Sequence, residues 1–263
     1  MKKKCIVSII IVYCMYFMLS YFFYLNSNDC IVFRKLIDKY SFYNFLINYD
    51  NAVNLCYLIL VIILIATGGW ILRYNFFKQE TFRLQEVVIF LLFVVCTTSS
   101  IILYENSKSN YNISIEYILY ALFTNSLLVA IIEELFFRTL ILQLMLIVVN
   151  SNEKYIVIII NGILFALMHM FNIISNIKII GYSEALQGFV MICLLSCLLA
   201  ACYITYKNVI ICILVHAGYN MTTSLVLDSA RKKYLMLYIG LITLILVVRN
   251  IKGKRPTRTC IEK

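Results

Sequence analysis

Runs of about twenty apolar residues follow one another along almost the whole chain, and this limits its structure before any motif is read. A hydrocarbon core ~30 Å thick is crossed by about that many residues in a helix. Backbone amides that cannot meet water must bond within their own segment, so each run is expected to be helical. The runs lie roughly at 5–25, 52–72, 86–104, 117–149, 155–174, 185–205, 208–227 and 233–248. The one proline, Pro256, follows all of them, so none has its hydrogen-bond ladder interrupted by proline. The chain is 63% hydrophobic and 14% charged, against about 25% charged for a soluble domain. The expected fold class is therefore all-α, a polytopic membrane helix bundle of about eight transmembrane helices.

Charge gives an orientation. With both termini cytoplasmic, most of the 23 basic residues fall on the inner side, including Lys2, Lys3, Lys4, Arg73, Lys78, Arg83 and the tail from Arg249 onward. Arg231, Lys232 and Lys233 run against this bias. The net charge of +10 is thus read as a response to the anionic leaflet, with no nucleic-acid partner expected. The first run, behind Met1-Lys2-Lys3-Lys4, lacks an Ala-x-Ala cleavage pattern and is read as a retained anchor. Residues 31–49 mix aromatic and aliphatic residues with Arg34, Lys35 and Lys39, as an interfacial amphipathic helix does. The ten cysteines form no CxxC pair and mostly lie in apolar runs, where cysteine acts as a small hydrophobe. The final Cys260-Ile261-Glu262-Lys263 has the outline of a prenylation box, but Glu262 stands where an aliphatic residue is preferred.

Against this background the ionisable residues inside the runs stand out, because each costs about 2.5–3.5 kcal/mol at mid-membrane. They are Glu133, Glu134 and Arg138 in the fourth run, and both histidines of the chain, His169 and His216. Glu134 and Arg138 are one helical turn apart and can pair. Glu133 is rotated about 100° from Glu134 and shares that pairing less easily. An unpaired carboxylate in apolar surroundings gives up its charge readily, which suits general acid–base work; neutralisation by Arg138 is the plainer alternative. Phe165 and His169 are again one turn apart, as are His216 and Asn220, with Gly218 between the latter two allowing close approach. One glutamate and two histidines from three helices could hold zinc with a position open for water, or could activate water with no metal; the spacing leaves both open. Depth fits less well. Counted from the cytoplasmic ends, Glu133 and His169 lie ~21–24 Å deep and His216 ~12 Å. The fourth run, ~50 Å long as a straight α-helix, must tilt, protrude or break.

The patterns EExxxR, FxxxH and HxxxN, in this order on successive helices, resemble the CAAX-protease and bacteriocin-processing family of intramembrane proteases, the CPBP or Abi group. The resemblance covers about residues 117–230. It implies a catalytic helical core at 115–230, preceded by N-terminal helices and an interfacial segment at 1–114. A last helix and basic tail follow at 231–263. It implies that Glu133 activates the hydrolytic water with His169, that His216 and Asn220 stabilise the oxyanion, and that Glu134, Arg138 and Phe165 support them. It also implies a peptide or membrane-protein substrate in a lipid bilayer, and a metal set, if one is used, of Glu133, His169 and His216. The Ile, Lys, Asn and Tyr bias suggests an AT-rich bacterium, hence a cell-membrane protein. The main alternative is a bacteriocin self-immunity or scaffold protein of the same family. A proton-coupled transporter or a bis-histidine haem site would use the same residues, but no inverted repeat or broken helix pair is apparent.

Overall fold

The computed structural model describes residues 2–26, 49–77, 84–108, 118, 121–149, 153–171, 173–174, 177, 181–225, 238–243 and 245–246. Among these there is no strand. The helices are α1 (Lys2–Asn26), α2 (Tyr49–Leu72), α3 (Leu84–Lys108), α4 (Ala121–Val148), α5 (Lys154–Met168), α6 (Tyr182–Tyr206) and α7 (Val209–Leu225), with a further helical segment at 238–243. These positions follow the apolar runs closely. The expected interfacial segment lies almost wholly outside the described residues, as do Pro256 and Cys260.

Two of the expected runs differ from plain α-helices. The fourth run stays helical from Ala121 to Val148, but α4 changes its winding. Ala121–Leu128 and Leu135–Leu142 are π-helical, and the glutamates sit on the α-helical section Val129–Glu134 between them. A π turn closes over five residues rather than four, so these stretches are wider and shorter than α-helix of the same length. The fifth run, expected to continue to residue 174, closes at Met168. His169 (φ −87°, ψ 0°) donates its backbone N–H to Ala166 O three residues back, which tightens the last turn, and helical residues resume at 170.

The core is formed by α4 and the helices packed on it. α5 lies along α6, α7 packs against α3 and α4, and α1 and α2 cover the other side of α4. Close approach of α5 and α6 depends on Gly162, where a Cβ would overlap Cys197 Sγ and press on Cys193 O. At Gly218 a Cβ would overlap Tyr238 Oη, which donates to Val215 O at 2.8 Å and ties the 238–243 segment to α7. α6 and α7 are joined by Lys207, in the left-handed region (φ 51°), and Asn208, whose Oδ1 accepts from Ile210 N–H at 2.9 Å. A buried polar residue joins three parts of the chain. Gln143 donates to Phe76 O at 2.7 Å and to Tyr203 Oη at 2.5 Å, and accepts from Tyr74 Oη at 3.4 Å.

The outward faces are apolar. Ile10, Ile59, Leu92, Ile159 and Leu194 are all more than 45% exposed, and Trp70 is 82% exposed. Two helical segments, Asn54–Leu72 and Tyr182–Tyr206, are long and apolar enough to cross a membrane. Leu84–Ser100, Lys154–Met168 and Val209–Ser224 are shorter apolar helices.

Candidate active site

Glu133, from α4, lies between the two histidines. His169 Nε2 is 3.5 Å from Glu133 Oε1, and His216 Nε2 is 3.5 Å from Glu133 Oε2. Glu133 therefore has two imidazole neighbours, where the sequence suggested an unpaired carboxylate or one neutralised by Arg138. Its Oε2 is buried and makes no hydrogen bond. The three side chains therefore meet, although residue counting along the runs separates His216 from the other two. The π stretch Leu135–Leu142 lies between Glu133 and the C-terminal end of α4 and shortens that path.

Each imidazole is held from behind at Nδ1. His169 Nδ1 is 3.1 Å from Phe165 O, and the two rings stack with centroids 4.8 Å apart. His216 Nδ1 is 2.9 Å from Glu134 Oε1. The expected partner of His216 was Asn220, one turn on; the side chain it meets instead comes from another helix. The reason is electrostatic: a carboxylate is the stronger acceptor for an imidazole N–H. Asn220 is part-buried on the same helix, and its main-chain oxygen accepts from Thr223 Oγ1 at 2.7 Å and Ser224 Oγ at 3.0 Å.

Glu134 and Arg138 pair as their spacing predicts, with Nε to Oε2 at 2.8 Å and both side chains wholly buried. The rest of the guanidinium is also engaged. Nη1 donates to Asn161 Oδ1 on α5, Nη2 donates to Ser196 Oγ on α6 at 3.0 Å, and the group lies 5.5 Å from the centroid of the Phe165 ring. Asn161 in turn donates Nδ2 to Phe137 O at 3.3 Å. On the other side, Tyr16 of α1 stacks on Phe136 at 4.1 Å. Asn161, Ser196 and Tyr16 were not evident from the motifs. Asn161 had a usable signal, being one turn before Phe165 and two before His169 on the same face. Ser196 had none, since serine in an apolar helix can satisfy itself on its own backbone.

The two Nε2 atoms and the carboxylate are donor types that suit zinc. Here, however, each Nε2 addresses a different oxygen of Glu133, and among the described residues no group of three His, Cys, Asp or Glu side chains is arranged to hold a metal ion. The chemistry these residues present directly is that of a carboxylate with two imidazoles, enough to take a proton from water and to return one.

A part-buried carboxylate–imidazole centre assembled from α4, α5 and α7 is thus the class of site this helical fold defines. Residues 115–222, which contain every side chain of that centre, match the family model described as Rce1-like, type II CAAX prenyl endopeptidase Rce1-like. This match covers less than half of the chain and is consistent with the CPBP family. No curated protein and no solved structure matches the chain.

Proposed function

We propose that this protein is a multi-pass endopeptidase of the bacterial cell membrane, with both termini cytoplasmic, that hydrolyses a peptide bond in a membrane-associated peptide or protein. The observation that carries this reading is the position of Glu133, held 3.5 Å from two imidazole nitrogens with one buried oxygen free of hydrogen bonds. In this reading Glu133, with His169, takes a proton from water as the oxygen attacks the carbonyl carbon. The carbonyl oxygen becomes an oxyanion, stabilised by His216 and the Asn220 amide. The C–N bond then breaks, the proton passes to the leaving nitrogen, and one water is consumed for each bond cleaved. Glu134, Arg138 and Phe165 support the reacting groups. The apolar outer faces of α1, α2, α3, α5 and α6 suit a lipid environment. Residues 115–230 form the catalytic core, with 1–114 and 231–263 as flanking membrane helices, interfacial segment and tail.

The test compares peptide termini in membranes and medium from cells expressing wild type or Glu133→Gln at equal levels. Termini that vanish with Glu133→Gln, through a loss of about 100-fold or more in cleavage, are expected. Identical termini in both strains would overturn the reading. If the wild type still conferred a phenotype, they would favour the self-immunity or scaffold alternative.

A further inference from the structure

Behind the reacting groups a chain of buried hydrogen bonds crosses four helices, and the donor rules fix its direction. A guanidinium only donates, so Glu134 Oε2, Asn161 Oδ1 and Ser196 Oγ all accept from Arg138. Arg138, Glu134, Asn161 and Ser196 are each fully buried, and among the described residues the set leads out to one further titratable group, His216, through Glu134. Glu134, ion-paired on one oxygen, offers its other oxygen as an acceptor 2.9 Å from His216 Nδ1. That nitrogen must then carry the proton, leaving Nε2 to face Glu133. His169 reaches the same form by another route, because the Phe165 carbonyl at its Nδ1 can only accept.

We infer that Asn161 and Ser196 are positioning residues that act on the reacting centre through Arg138 and Glu134, holding His216 with its proton on Nδ1 and its Nε2 toward Glu133. This deepens the hydrolytic reading and rests on it for any effect on rate; the assignment of the His216 proton stands independently. Three consequences follow. Arg138 cannot swing away from Glu134 while Asn161 and Ser196 hold its two outer nitrogens. Glu134 cannot turn from His216 while Arg138 holds its Oε2. If the proton that Glu133 takes from water passes to His216 Nε2, 3.5 Å away, before it reaches the leaving nitrogen, that nitrogen can donate to the oxyanion and Glu134 already faces the new charge. An Asp–His pair in a serine protease works in the same way, and there the wrong tautomer costs about 10⁴ in kcat.

The chain has two histidines, so imidazole nitrogen NMR of the ¹⁵N-histidine protein contains two rings, and His169→Gln assigns them. Both rings are expected to show the proton on Nδ1 in the wild type. In Ser196→Ala and in Asn161→Leu the His216 ring should become a mixture of tautomers while the His169 ring stays unchanged. In these variants kcat should fall about tenfold or more with KM little changed, and Asn161→Asp, which keeps an acceptor for Arg138, should restore both signals. A wild-type His216 with its proton on Nε2 would overturn the inference. So would an unchanged His216 ring in both folded variants, even with reduced kcat. Ser196→Ala removes only one hydroxyl and serves if Asn161→Leu does not fold. Failure of the hydrolytic reading would appear separately, as a wild type that cleaves nothing while its imidazole signals remain as described.

Discussion

At the scale of single residues, the energetics concentrate on Arg138. It is wholly buried, and each of its three guanidinium nitrogens meets an acceptor, two on other helices and one on its own. A buried ion pair often contributes little net stability, yet removing one partner leaves a charge that neither water nor protein compensates. Arg138→Ala is therefore expected to destabilise the fold by about 3–5 kcal/mol, seen as a lower unfolding temperature in detergent. Unfolding at the wild-type temperature would mean that Glu134 is not held as a buried carboxylate. The Glu134–Arg138 pair was legible in the sequence because its spacing is a property of one helix. The Glu134–His216 bond was not, because it joins residues 82 positions apart on two helices whose packing no local pattern encodes.

At the scale of elements, helix positions were largely legible and helix winding was not. Apolar runs give length and type, so α1 to α7 fall where the runs lie. The two π stretches of α4 and the early close of α5 at Met168 depend on packing partners, and periodicity carries no mark of them. Glycines illustrate the same division. Gly162 and Gly188 look alike in sequence, yet a Cβ at Gly162 would collide with α6 while one at Gly188 would meet nothing within 4 Å. Gly162→Ala should destabilise the protein by about 1–3 kcal/mol through overpacking. Gly188→Ala should stabilise it by about 0.4–1 kcal/mol by restricting the unfolded chain. Thermal unfolding of both variants under one condition checks the opposite signs. Equal shifts would show that α5 and α6 are not in such close contact.

At the scale of the whole molecule, polarity is inverted relative to a soluble protein. The Glu134–Arg138 ion pair, Gln143 and Asn161 lie inside, and many Ile, Leu and Val side chains lie on the outside. Cys14, Cys56 and Cys96 are exposed on the outer faces of α1, α2 and α3 and provide native probes of what that surface meets. In intact membranes a membrane-impermeant maleimide should leave these three at background, and denaturation in detergent should make them reactive, as read by peptide mass spectrometry. Full labelling in intact membranes would mean that this surface faces water. Side-chain exposure at the site is also one-sided: 27% for His169, 15% for Glu133, 4% for His216 and none for Glu134. A planar carbonyl has two faces, and in the proposed reaction a water held at the His169–Glu133 side can add to only one of them. The tetrahedral carbon it creates would then have a single handedness, set by which helix leaves its histidine uncovered.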